Sequence, residues 1–132
     1  MWLRRQTTKF NGVSYITQRG AEAVFTEAGE REIEENIQYY RDNAAIITET
    51  MDRLHIYYTG GKNSPYIWLK CPGDMDSWSF FDKLLNEAYV VGTPGAGFGK
   101  SGEKFFRLTA FSTHENTREA MDRFEKLVQS MS

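Results

Sequence analysis

The clearest pattern in the sequence is a stripe of apolar positions between residues 33 and 54. Its members recur at gaps of 4, 3, 4, 3, 4 and 3 residues: Ile33, Ile37, Tyr40, Ala44, Ile47, Met51 and Leu54. This spacing predicts one long helix with a single apolar face. Glu30, Glu32, Glu34 and Glu35 crowd its start, where the helix dipole favours negative charge. A stripe of under four heptads favours a face packed on a core over a coiled-coil seam.

The residues before this helix have a weaker pattern. Thr8 to Phe25 is predicted to be helical, and Thr26 to Gly29 is typical of a helix end. Residues 1–29 are therefore interpreted as a helical segment of their own, and residues 30–132 as the main domain.

Three strands and two further helices are predicted after residue 54. The strands are His55–Thr59, Tyr66–Lys70 and Phe105–Phe111. In the last strand Phe106, Leu108 and Ala110 alternate with Phe105, Arg107, Thr109 and Phe111, so the two sets lie on opposite faces.

Both helices carry recognisable start signals. Asp76 or Ser77 is predicted to cap one of them, and Ser112 to Glu115 has the spacing of a capping box for the other. Their predicted inner faces are Trp78, Phe81, Leu84, Leu85 and Ala88 in one, and Ala120, Phe124, Leu127 and Met131 in the other. The element order predicts an α+β fold, a small, mainly antiparallel sheet covered by helices.

Composition narrows the function classes. With 132 residues, 40% hydrophobic content and a net charge of −2, the chain suits one compact domain and gives no electrostatic reason to bind nucleic acid or a membrane surface. The lone Cys71 ends an apolar run, which favours a buried thiol over a nucleophile. No histidine pair or cysteine cluster has metal-ligand spacing, and His55 and His114 are interpreted as surface or capping residues.

The glycine-rich loop Gly92–Gly102 contains a match to a nucleotide-binding pattern. Gly97 to Gly102 reads G-x-G-x-x-G and its end resembles a Walker A motif. Phosphate binding requires a helix N-terminus after the loop, whereas a strand is predicted there. We therefore interpret the loop as a tight connection. A nucleotide-binding protein stays as a competing hypothesis.

Several segments together resemble LL-diaminopimelate aminotransferases, a family of class I/II enzymes of fold type I. The residues that carry the resemblance are Val90–Gly99, Ser101–Glu103 and Phe106–Phe111, together with Arg4–Gly12 and Gly60–Trp68. They occur in the family's order along nearly the whole chain. The resemblance implies the C-terminal small domain of such an enzyme, preceded by the end of its large domain at residues 1–29.

The resemblance also implies a function. The family uses pyridoxal 5'-phosphate to move an amino group between glutamate and tetrahydrodipicolinate in lysine biosynthesis, and works as a cytoplasmic homodimer, or in the plastid in plants. Its substrates are an amino acid and a 2-oxo acid. Arg107 matches the arginine that binds the substrate carboxylate, and Asn11 matches an asparagine at the cofactor and substrate site. Asn63 lies in a similar motif but is interpreted as capping the turn before Pro65.

The chemistry of Arg107 agrees with that role, since a planar guanidinium holds a carboxylate through two parallel hydrogen bonds. From spacing alone, an arginine on an exposed strand face explains the pattern equally well.

None of the seven lysines has the serine-rich context of the family's cofactor lysine. The chain is therefore expected to be a fragment that is inactive alone, to leave apolar surface uncovered near Val13–Val24 and the Arg107 face, and to self-associate. The rival hypothesis is a free-standing, non-catalytic α+β module that binds an amino acid or a protein partner.

Overall fold

The computed structural model describes residues 1–10 and 12–131. The described helices are α1 (Trp2–Lys9), α2 (Tyr15–Ala23), α3 (Glu27–Arg53), α4 (Ser77–Ala88) and α5 (His114–Ser130). The strands are β1 (Tyr58–Gly60), β2 (Tyr66–Lys70), β3 (Thr93–Pro94) and β4 (Phe105–Thr109). The chain divides into two compact units, Met1–Ile37 and Gln38–Ser132.

The first unit contains α1, α2 and the start of α3. The helical segment predicted at Thr8–Phe25 is two helices, and α1 begins well before it. Gly12, with a φ of +100°, lies between them, and Ser14 starts α2 by accepting a hydrogen bond from the Thr17 backbone N–H at 3.4 Å. No residue of α1 or α2 is buried. Because α1 is polar along most of its length, apolar periodicity did not reveal it.

The second unit is built on an antiparallel sheet with the strand order β1-β2-β4-β3. This confirms the predicted α+β fold class. Strand β4 is an interior strand, bonded to β2 on one side and β3 on the other. Arg107 therefore pairs with Trp68 across one ladder and with Thr93 across the other.

One face of the sheet forms the core. Phe106, Leu108 and Ala110 are at most 4% exposed, as the alternation predicted. The Phe80 ring of α4 meets Phe106 at 5.1 Å and Phe124 of α5 at 5.9 Å, both edge to face. Burying a side chain of this size contributes roughly 1.5–3 kcal/mol.

The long helix α3 confirms the predicted stripe, but only its C-terminal half is buried. Ala44, Ile47 and Met51 lie in the core, while Ile33 and Ile37 are 40% and 45% exposed. The stripe therefore predicted the helix correctly and overestimated how much of it packs.

The start of strand β1 and the inner face of helix α4 also differ from the predictions. Strand β1 begins at Tyr58, because His55 has a φ of +53° and belongs to the turn that ends α3. Of the two predicted caps, Asp76 rather than Ser77 begins α4. In this helix Phe80 faces the core, whereas Trp78 is 55% exposed.

The cap of α5 lies one residue later than predicted. Thr113, not Ser112, accepts the backbone N–H of Asn116 at 3.1 Å.

Helix α4 has two adjacent rows of apolar residues. The row that contains Phe80 faces the core because Phe80 packs on the Phe106 ring. The inner face of α5 also differs, since Met121 and Val128 are buried and Ala120 is only partly so.

Candidate functional site

Arg107 projects from the middle of β4 on the face opposite the core. Its strand neighbours Phe106 and Leu108 point inward and are 0% and 4% exposed. Alternation along a strand places Arg107 with Phe105 and Thr109 on the other face. The side chain thus lies where the sequence predicted, and a pairing strand on each side fixes its backbone.

Aromatic rings surround the guanidinium group. Its central carbon lies 4.5 Å from the centre of the Tyr66 ring and 4.7 Å from that of Phe98. Trp68 packs edge to face on Phe98 at 5.6 Å and stacks on Phe105 at 5.7 Å. A cation beside a ring face is attracted by the negative charge of that face.

No described carboxylate lies within ion-pair distance of Arg107. Its Nε is buried and has no hydrogen-bond partner among residues 1–10 and 12–131. Arg107 as a whole is half-buried, so part of its side chain remains accessible to solvent. A carboxylate can therefore approach Arg107 without displacing an internal acid.

The glycine-rich loop brings Phe98 to this site. Two short 3-10 turns, Gly95–Phe98 and Lys100–Gly102, are joined by Gly99, whose φ is +111°. The loop then enters β4 rather than a helix, in agreement with the prediction that it lacks the helix N-terminus a phosphate site needs.

Two close contacts shape this loop. A Cβ on Gly95 would lie 2.2 Å from the Gly102 carbonyl oxygen, so the two backbones approach closely. The Ala96 N–H donates to the buried Ser77 Oγ at 3.1 Å, which ties the loop to the start of α4. These contacts leave room only for small residues where the two backbone segments cross.

The other residues singled out in the sequence are Asn11, Asn63, His55 and His114. Asn11 falls outside the described residues. Asn63 is exposed, and Ser64 rather than Asn63 makes the turn contact, accepting the Tyr66 N–H at 3.3 Å. His114 begins α5, whereas His55 lies in a turn.

Cys71 is 3% exposed, which confirms the predicted buried thiol. Burial, and secondarily the negative charge of Asp76, raises its pKa to about 11. Among residues 1–10 and 12–131, no group of three or more histidine, cysteine or acidic side chains is arranged to hold a metal ion. None of the helices in these ranges has both the length and the hydrophobicity to cross a bilayer.

Sequence reasoning missed the rings that flank Arg107. The proximity of Tyr66 to Arg107 can be inferred from the strand register, because Tyr66 pairs with Thr109 on the same face. The proximity of Phe98 cannot be inferred in this way, because its position depends on how the glycine loop folds back over the sheet. The only available signal was an aromatic residue between glycines.

Comparisons with known proteins give a consistent result. The family profile for aminotransferases of class I and II matches residues 1–124. An LL-diaminopimelate aminotransferase from Methanosphaera stadtmanae is 61% identical over 127 residues, covering 96% of this chain and 31% of that protein.

Solved structures agree with that match. The L,L-diaminopimelate aminotransferase of Chlamydomonas reinhardtii superposes with a TM-score of 0.86 at 40% identity, covering 95% of this chain and 30% of the other. An aromatic aminotransferase from Pyrococcus horikoshii superposes with a TM-score of 0.77 at 26% identity, over 84% and 30%. The chain therefore spans about a third of the length of the relatives that it matches.

Proposed function

This chain belongs to the class I and II aminotransferase family, and on that premise we propose that it is the C-terminal part of an LL-diaminopimelate:2-oxoglutarate aminotransferase. In this proposal Arg107 binds the substrate carboxylate. Residues 1–29 are the end of the large domain, and residues 30–132 are the small domain. The complete enzyme is a cytoplasmic homodimer (plastid-located in a plant), and Asn11 contacts its cofactor and substrate.

The observation that carries the proposal is the set of groups that surround the Arg107 guanidinium. It lies on the sheet face away from the core, between two aromatic rings, with no acid beside it in the described part of the chain. A partly buried charge without a partner is costly. A ligand carboxylate would supply the missing countercharge and accept two parallel hydrogen bonds.

The chemistry of transamination suits one such arginine. The amino acid that gives up its nitrogen and the 2-oxo acid that receives it both keep an α-carboxylate. One guanidinium can therefore orient both substrates in turn, which places the reacting carbon in a fixed position. The choice of diaminopimelate rests on the names of two relatives, which are 61% and 40% identical to the chain over 96% and 95% of its length.

Family members depend on pyridoxal phosphate, which supplies the electron sink for breaking bonds at the substrate α-carbon. The described residues do not fit that cofactor by themselves. A Schiff-base lysine reacts as a neutral amine, which requires burial or a cationic neighbour. Here Lys83 is paired with Glu87 and Lys104 with Asp74, and the remaining lysines are exposed: Lys9, Lys62, Lys70, Lys100 and Lys126. We therefore assign the cofactor lysine to protein outside these residues.

A chimeric enzyme tests the proposal. This chain would replace the matching 127-residue stretch of the Methanosphaera stadtmanae relative, and transfer from LL-diaminopimelate to 2-oxoglutarate would be measured. We expect activity from the chimera. Arg107→Gln should lower kcat/KM by about 100-fold, because a lost charged hydrogen-bond pair is worth roughly 3 kcal/mol.

The matched control is Arg118→Gln, which removes an exposed arginine on α5 and should change kcat/KM less than twofold. Equal effects of the two substitutions would contradict the role of Arg107. A chimera that folds, binds the cofactor and still fails to transfer the amino group would contradict the proposed function.

The isolated chain gives an independent test. Incubated with pyridoxal phosphate and then borohydride, it should form no stoichiometric reduced lysine adduct by mass spectrometry. A single modified lysine at one equivalent would show that the chain contains a cofactor site. Tight carboxylate binding by the isolated chain, abolished by Arg107→Ala, would favour a free-standing binding module instead.

A further inference from the structure

We propose that Phe98, together with Tyr66, fixes the Arg107 guanidinium in its ligand-binding orientation, which makes Phe98 a positioning residue for carboxylate binding. This inference rests on the proposed function and adds a specific role for the glycine-rich loop. The loop, whose sequence resembles a nucleotide-binding motif, instead presents an aromatic ring to a cation.

The contacts form a continuous set around the guanidinium. Phe98 and Tyr66 contact it at 4.7 and 4.5 Å. Phe98 also packs edge to face on Trp68 at 5.6 Å, and Trp68 stacks on Phe105 at 5.7 Å. The ring of Phe98 therefore contacts both the cation and an indole of β2, the strand next to β4.

Rings can hold an arginine without competing with its ligand. An internal carboxylate would also orient the guanidinium, but it would neutralise the charge and occupy the N–H donors that the ligand needs. An aromatic face attracts the cation and leaves the in-plane donors free. At Arg107 the Nε is buried without a partner among the described residues, while the residue as a whole is only half-buried.

The exposure of Phe98 favours this role over a role in core packing. The residue is 56% exposed, so its ring contributes little to the core of the second unit. Its backbone is nevertheless tightly specified. The close approach of Gly95 to Gly102 and the positive φ of Gly99 bracket it on both sides. A loop with such a closely packed base that presents a half-exposed ring to an arginine fits a positioning function.

The test uses the active chimera described above. Phe98→Leu keeps an apolar side chain but removes the ring. We expect KM for LL-diaminopimelate and for 2-oxoglutarate to rise about fivefold to 20-fold, with kcat within twofold, because a cation–π contact in a partly desolvated site is worth about 1–2 kcal/mol. Phe98→Tyr, which retains the ring, should restore KM to within twofold of the parent.

The control is Trp78→Leu, which removes an aromatic ring of matching exposure, 55%, that contacts Phe81 rather than Arg107. It should leave KM unchanged. If Trp78→Leu raises KM as much as Phe98→Leu, or if Phe98→Leu leaves KM unchanged, the inference is wrong.

Graded fluorination of the ring at position 98 separates electrostatics from shape. Fluorine withdraws charge from the ring face while keeping its size almost constant, so log KM should rise steadily with each added fluorine. A flat series would overturn the inference even if Phe98→Leu were to misfold. If Arg107→Gln raises KM and the fluorine series is flat, only the role of Phe98 fails. If Arg107→Gln has no effect, the proposed function fails first.

Discussion

The side-chain oxygen of Asn43 accepts a hydrogen bond from Nδ1 of His114 at 2.7 Å. The direction follows from the other end of the amide, whose nitrogen donates to the carbonyls of Ala110 at 3.0 Å and Ser112 at 2.6 Å. Because the amide oxygen can only accept, His114 must carry its proton on Nδ1. One buried side chain of α3 thus ties down the turn between β4 and α5.

Substituting Asn43 is expected to destabilise the fold strongly. Asn43→Ala leaves two backbone carbonyls without their donor and opens a small cavity at a fully buried position, which should cost about 2–4 kcal/mol. Urea unfolding followed by circular dichroism measures the loss. Asn86→Ala removes an exposed amide on α4 that donates to the Asp82 carbonyl at 2.7 Å, and it should cost under about 0.5 kcal/mol. Similar losses for both would contradict the network.

Cys71 should be unreactive in the folded protein. Its thiol is buried and its pKa is raised to about 11, so little thiolate exists near neutral pH. Reaction with a thiol reagent at pH 8 should be at least about 100-fold slower in buffer than in denaturing urea. Equal rates in a protein that is shown to be folded would contradict the burial of this thiol.

The same pKa predicts how stability depends on pH. The ordinary thiol value is 9.0 and the folded value is about 11, so between these values the unfolded chain loses a proton that the folded chain keeps. The contribution of Cys71 is therefore fully present below pH 9 and decreases as pH rises from 9 to 11. In urea titrations across this window, stability should fall more steeply for the parent than for Cys71→Ala. Parallel curves would contradict the shift.

Two glycines of the loop should respond differently to an added methyl group. In Gly95→Ala the new Cβ would lie 2.2 Å from the Gly102 carbonyl oxygen and 2.5 Å from that of Phe105. Overpacking of this kind costs about 1–3 kcal/mol. Gly97→Ala meets nothing within 4 Å and should be close to neutral. Thermal melting distinguishes them, and an equal Tm for both variants would contradict the close approach.

The isolated chain should self-associate through its first unit. Large apolar side chains there are more than 70% exposed: Trp2, Leu3, Phe10, Tyr15, Ile16 and Phe25. Exposed apolar surface of this extent promotes association. Light scattering should show a mass that rises with concentration. Ile16→Lys should reduce the rise more than Ser101→Lys, which adds the same charge at an exposed polar position. A monomer at every concentration would contradict the prediction.

The sequence by itself determined the elements that depend on local periodicity. The spacing from Ile33 to Leu54 predicted α3, and alternation from Phe105 to Ala110 predicted both the inner face of β4 and the outward position of Arg107. Asp76 predicted the start of α4 because a carboxylate caps the nearest N–H groups. Each of these signals comes from residues that are only a few positions apart in the chain, so it can be read from the order of the residues alone.

Only the tertiary structure decided which of several equivalent local solutions is used. Phe80 rather than Phe81 faces the core of the second unit because the Phe106 ring lies there, and Asn43 is buried because its partners are close in space but 67 and 69 residues further along the chain. Phe98 reaches Arg107 through a fold of the glycine loop that no periodicity describes. Such contacts depend on how distant segments meet, and that is decided by packing and shape rather than by local sequence.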